Sequence, residues 1–341
     1  MTHQPLSEPL PFHRLARVSG RHRWWRPVLG TAFVVVAWLV LSLLLEAVSY
    51  VVGKATGRPE NADGTIEFGP VRDTALGLIS IALILPIVLL AVRWIGRRPA
   101  GTTSSVSGRL RPRWLLTCVL IATPVMGLLM GLSWLLPVEA GGEEAVLAGW
   151  DTFLPALAML VLLVPLQASA EEYMFRGWLL HAFGAFARSP WIAVVPQAFL
   201  FAAAHGWGTP WGFADLAFFG LVTGWLTVRT GGLEAAIGLH VMSNLCSFAT
   251  AAAFVDGLAS DETAADAPWQ LVALDTAMVS LYAAIVLWWC RRRPLARSTS
   301  PLSAPSPSLA AEVPYPGSVS YGPVATGSVP QRGPHPGHWS R

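Results

Sequence analysis

A helix needs about 20 mostly apolar residues to cross a hydrocarbon core about 30 Å thick. Runs of that kind recur near residues 28–52, 74–96, 114–136, 152–181, 190–206, 212–229, 232–254 and 269–290, the fifth and sixth being the shortest. A soluble chain of 341 residues has no interior able to hide eight such runs. Composition agrees: 53% of residues are hydrophobic and 13% charged, about half the ~25% charged content of ordinary soluble domains. The expected fold class is all-α, a polytopic transmembrane bundle of about eight spans. The first run exceeds the ~7–15 apolar residues of a signal peptide and no A-x-A site follows, so it reads as a retained helix. Cys118, Cys246 and Cys290 all fall in apolar runs without CxxC spacing, which excludes a disulfide framework and a cysteine zinc site.

Loop charge sets the expected orientation, because Lys and Arg collect on the cytoplasmic side. Arg14, Arg17, Arg21, Arg23 and Arg26 precede the first span, and Arg97, Arg98, Arg109, Arg111 and Arg113 follow the second. Arg188, Arg229 and Arg291–Arg293 continue the same alternation. The intervening loops are acidic, with Glu60, Asp63 and Glu67, then Glu139, Glu143 and Glu144, then Asp256, Asp261, Glu262 and Asp266. Both termini are expected in the cytoplasm of a multi-pass cell-membrane protein. A net charge of +3, with 22 of 23 basic residues Arg, reflects this placement; the lipid bilayer is the expected partner and nucleic acid is not. The Arg-for-Lys bias and the abundance of Ala, Gly and Pro suggest a GC-rich bacterial source.

The organisation expected is a disordered arm over 1–27, three helices over 28–136, a core over 150–254, a last helix over 269–293, and a tail over 294–341. Ser, Pro and Gly dominate that tail, and such a segment buries too little surface to offset its ordering entropy. No internal repeat is present, which weakens transporter folds built from duplicated halves.

Ionisable groups inside a bilayer are costly and mark functional sites by default. The fourth span carries Glu171, Glu172 and Arg176. Glu172 and Arg176 stand i, i+4 with the acid first, the favourable order for a helical ion pair. Glu171 lies about 100° round the axis and is expected to have no partner there, which makes it a candidate general base. The fifth span ends Ala202-Ala203-Ala204-His205, and the seventh holds His240 and Asn244 at i, i+4. A lone histidine on an apolar face is usually a packing residue; two of them in the spans following a glutamate pair form a pattern.

Glu171-Glu172-x-x-x-Arg176, Phe201-x-x-x-His205 and His240-x-x-x-Asn244 resemble the three motifs of the CPBP intramembrane proteases, which include type II CAAX prenyl endopeptidases and bacteriocin-processing or immunity relatives. The resemblance covers roughly residues 150–250. It implies an all-helical membrane endopeptidase that cleaves membrane peptides or proteins, with Glu171, Glu172, Arg176, His205, His240 and Asn244 as its site. Two chemical versions stay open. In one, Glu171 and His205 activate water, His240 and Asn244 donate to the oxyanion, and Glu172–Arg176 supports the helix. In the other, Glu171, His205 and His240 hold zinc as in a His₂Glu metalloprotease, although HExxH is absent. Rival readings are a non-proteolytic scaffold or immunity protein and a proton-coupled transporter. Glu171 near the cytoplasmic end of its span and His205 deep in the next are hard to bring together unless Pro165 kinks the helix or the fifth span begins deeper. Gly127-x-x-x-Gly131 and Gly220-x-x-x-Gly224 are candidate close contacts between helices.

The alternation of loop charge has a direct check. Reporter fusions at Gly64, Gly141 and Asp261 are expected to read extracytoplasmic, and one at Thr103 cytoplasmic. A cytoplasmic signal at Gly141 breaks the scheme.

Overall fold

The computed structural model describes residues 9–61, 64–136, 146–260 and 262–299. Asp63, the acidic residues Glu139, Glu143 and Glu144, Asp261 and the tail from residue 300 lie outside them. The main helices are α1 (Trp25–Ala55), α2 (Pro70–Trp94), α3 (Pro112–Ser133), α4 (Trp150–Gly184), α5 (Trp191–Ala204), α6 (Pro210–Thr230), α7 (Glu234–Ala252) and α8 (Trp269–Arg292). Extended structure among the described residues is limited to isolated bridges. Seven of the eight helices are long and apolar enough to cross a membrane.

The exception is α5, one of the two runs expected to be shortest, within a bundle of about eight helices as expected. Its 14 residues rise about 21 Å at 1.5 Å each, short of a ~30 Å core. The sixth run is full length at 21 residues. Local chemistry stops α5. Gly206 and Gly208 take positive φ of 97° and 37°, conformations that L side chains avoid. Thr209 then caps α6, accepting a hydrogen bond from the Gly212 amide at 2.9 Å, with Pro210 opening the helix. This is the Ncap–N1 pairing that satisfies and pre-forms a helix start.

Neighbouring helices sort by side-chain size. Helix α7 packs on both α3 and α4, α5 on α6, and α8 on α6 and α3, while α1 leans mainly on α2. Accordingly α1 buries only Gly30, Val34 and Gly53, and Val36, Leu43 and Val48 stay on the outside of the bundle, where hydrocarbon is their solvent. The closest approaches use glycine. A Cβ on Gly220 would lie 2.8 Å from Ala198 Cα, and one on Gly224 2.5 Å from Gln197 Nε2. A Cβ on Gly238 of α7 would sit 2.9 Å from Cys118 Cβ of α3. The close helix contact expected at Gly220 and Gly224 is therefore present, and its partner is α5. Among the described residues Gly127 and Gly131 have nothing within 4 Å of such a Cβ; that pair faces away from Ala122, Val125 and Met126, the buried face of α3.

One end of the bundle is tied by charge. Glu234, at the start of α7, accepts Arg111 Nε and Nη2 at 2.9 and 2.6 Å and the Arg111 amide at 2.8 Å. The same end seats residues expected to be disordered. Phe12–Arg17 form a short 3₁₀ helix with Phe12 and Leu15 buried, and Arg17 Nε donates to the Ala185 carbonyl at 2.6 Å. These few apolar side chains find a ready-made surface, so ordering them is favourable here although the arm alone has no core. Residues 298 and 299 pair with Pro11 and Leu10.

The glycine contacts discriminate between buried and outward positions. Gly238→Val is expected to lower the detergent-solubilised melting temperature by the equivalent of about 1–3 kcal/mol of overpacking. Gly127→Val should stay within about ±0.5 kcal/mol, as at a site touching nothing.

Candidate active site

Helix α4 supplies four of the site's side chains, and its length brings them to the right depth. It continues past residue 181 to Gly184, which places Glu171 about 20 Å from that end at 1.5 Å per residue. His205 lies about 21 Å from the start of α5 by the same rise. The two levels match, so the expected mismatch in depth disappears. Pro155 and Pro165 both sit within a continuous helix. Tyr173–Leu179 form a π-helical stretch, a widened turn that is rare and concentrated at functional sites.

Glu172 is fully buried, and its Oε1 is the hub. Arg176 Nη1 donates to it at 2.9 Å and His240 Nδ1 at 2.7 Å. Arg176, also fully buried, donates through Nη2 to Thr223 Oγ1 of α6 at 2.7 Å. Its guanidinium carbon sits 4.2 Å from the Phe201 ring centroid, with Phe175 and Phe219 each at 5.9 Å. A desolvated cation over aromatic faces gains about 2 kcal/mol. The expected Glu172–Arg176 pair is therefore formed, and it reaches α5, α6 and α7 together.

Glu171 is not without partners, contrary to the expectation. Gln167, one turn earlier, donates Nε2 to Glu171 Oε1 at 2.8 Å. Glu171 Oε2 lies 3.4 Å from His240 Nε2 and receives no hydrogen bond among the described residues. His240 thus spans the two carboxylates. Ionised carboxylates only accept, so Glu172 fixes a proton on Nδ1 and leaves Nε2 toward Glu171. Asn244, one turn along α7, donates Nδ2 to Gln167 Oε1 at 3.1 Å. It therefore joins the set through that glutamine.

His205 caps α5 and donates Nδ1–H to the Phe201 carbonyl at 3.0 Å, which leaves Nε2 as an acceptor. Its ring lies 4.6 Å from the Phe201 ring, which is itself 5.8 Å from His240. Glu171, Glu172, Arg176 and His240 are thus in direct contact, whereas His205 approaches them across Phe201. Among the described residues no group of three or more His, Cys, Asp or Glu side chains lies so as to hold a metal ion. Nδ1 of His240 is held by Glu172 and its Nε2 faces Glu171, whereas His205 stands across Phe201 from both.

Gln167, Thr223, Phe201 and Phe219 belong to the site beyond the six residues expected. Gln167 had a legible signal, a buried amide one helical turn before Glu171. Thr223 had none, because a threonine inside a membrane helix ordinarily bonds its own backbone, as Thr223 Oγ1 also does to the Phe219 carbonyl at 2.6 Å.

The fold and the buried charge cluster define a multi-pass membrane protein with a polar site inside its helix bundle. Residues 151–246 match the family described as type II CAAX prenyl endopeptidase Rce1-like, the stretch that carries the three motifs. The chain is also 26% identical over 242 residues to the Bacillus subtilis (strain 168) protein named Uncharacterized protein YyaK, a match covering 67% of this chain and 80% of that one. No solved structure matches.

Removing Glu172 orphans a buried arginine, an error of about 3–5 kcal/mol. Glu172→Gln is expected to lower melting temperature and membrane yield sharply. A Glu172→Gln protein that melts like the wild type would show that the pair does not hold the helices.

Proposed function

We propose that the protein is an intramembrane endopeptidase that hydrolyses peptide bonds of membrane peptides or proteins, with both termini in the cytoplasm. The observation that carries the reading is the buried Glu171 Oε2, without a donor among the described residues and 3.4 Å from His240 Nε2, on a carboxylate whose other oxygen is held by Gln167. A general base needs an oriented carboxylate with one oxygen available.

In this reading a water placed by Glu171 Oε2 and His205 Nε2 attacks the scissile carbonyl, and its proton passes to Glu171. The developing oxyanion accepts hydrogen bonds from the His240 ring through Nε2 and from Asn244 Nδ2, released from Gln167 as substrate enters. Fixed donors aimed at that oxygen usually lower the barrier to acyl transfer more than any other single effect. Collapse breaks the C–N bond, and Glu171 returns its proton to the leaving amine, so charge and atoms balance. Glu172 and Arg176 act by positioning: they set the His240 ring and the α4 surface. The low dielectric of the bundle strengthens each of these interactions.

Purified protein in proteoliposomes with a membrane-peptide substrate tests the reading. Glu171→Gln and His240→Ala should fold normally and lose nearly all cleavage, and Asn244→Ala should lose about 10²–10³-fold, as for one oxyanion donor. Cleavage should survive a zinc chelator. Activity that vanishes with the chelator and returns with zinc overturns the metal-free assignment. Full cleavage by Glu171→Gln overturns the role of the base.

A further inference from the structure

At the end of the bundle that carries the arginines, the base of α1 and the last turns of α4 enclose a recess lined by His22, Arg26, Gly96, Arg98, Trp178 and His181. The recess is shallow, with a cavity volume of about 20 Å³, so a ligand would sit at its open mouth. Close contact builds it: a Cβ on Gly30 would strike the Trp178 ring at 2.1 Å. Arg97 takes φ of 52°, a left-handed conformation costly for a long side chain, and the next residue, Arg98, is turned into the protein.

Arg98 is 5% exposed, donating to Thr102 Oγ1 at 2.6 Å and lying 2.9 Å from His181 Nδ1. Neither partner is an anion. Burial alone pulls the Arg98 pKa down, with no carboxylate opposing it. His181 is 1% exposed and its Nε2 has no partner among the described residues; Arg26 Nε is likewise buried and unpartnered. Segments 9–30, 95–113 and 173–192, which line this recess, contain no Asp or Glu, and Glu234 at the same end is taken by Arg111. A buried cation without a counter-charge is costly, and two unsatisfied nitrogens beside it add to that cost. Both penalties disappear if an oxyanion sits at the mouth. Juxtamembrane arginines face anionic headgroups at this level, and the guanidinium fork matches phosphate oxygens.

We propose that Arg26, Arg98, His22 and His181 form a seat for one phosphate anion, carried by an anionic phospholipid headgroup or by a free phosphate ester. The site is separate from the glutamate cluster: His181 stands about 14 Å along α4 from Glu172 at 1.5 Å per residue, with the π-helical stretch between them.

Native mass spectrometry and melting of the purified full chain in neutral detergent test this. Phosphatidylglycerol should bind with a stoichiometry of one and raise the melting temperature, and inorganic phosphate should displace it. Stabilisation by phosphate without lipid binding identifies a free phosphate ester as the ligand, and still supports the seat. Arg26→Gln and Arg98→Gln should weaken the retained anion at least ~10-fold, as for loss of a charge-assisted contact. Arg291→Gln, an exposed arginine on the far helix, should leave it unchanged. If Arg98→Gln fails to fold, the half-exposed Arg26→Gln carries the test alone. An equal loss in Arg291→Gln, or no effect of either anion on the wild type, overturns the proposal.

Discussion

Glu172 is the charge on which the interior depends. One carboxylate oxygen holds a guanidinium from its own helix and an imidazole from α7, and the guanidinium reaches a threonine of α6 and the ring of Phe201 in α5. Four helices therefore share a single electrostatic knot in a medium that offers no water to replace any strand of it. Such a knot is unforgiving, because removing either charge of the Glu172–Arg176 pair leaves the other buried and unpaired. It is also specific: lipid tails are as apolar as leucine, so greasy surfaces alone do not select one helix partner over another.

Shape completes what charge begins. Gly220 and Gly224 let α5 lie against α6, and Gly238 lets α7 lie against α3. The short α5 ends at Ala204, and its terminal His205 is delivered to the level of the glutamates. Two glycines with positive φ stop the helix; a fully spanning α5 would carry its histidine past the site. The length of α4 does the complementary work from the other side.

The two glutamates differ through their neighbours. Each keeps one buried oxygen without a donor among the described residues, but Glu172 Oε1 is held by a guanidinium and an imidazole, whereas Glu171 Oε1 is oriented by a neutral amide. The division of labour between base and positioning acid thus follows from which side chain lies one turn away: an arginine for one and a glutamine for the other.

The apolar runs, the helical class, the bounds of most spans within a few residues, and the six polar residues of the site were legible in the chain itself. Each follows from local rules, since a bilayer demands saturated backbone hydrogen bonds and makes every intramembrane charge conspicuous. The i, i+4 pairing of Glu172 with Arg176 was legible for the same reason: both partners lie on one helix. The partners of Glu171 and His240 were not, nor was the sorting of Gly238 from Gly127, although all are glycines or polar groups in similar apolar settings. Those outcomes turn on which helix faces which, a long-range choice made by the knot at Glu172 and by steric fit. The order of Phe12 and Leu15 near the N-terminus is hidden from the sequence for that reason too: a segment this short cannot order itself, but it can dock on a surface that only the assembled helices create.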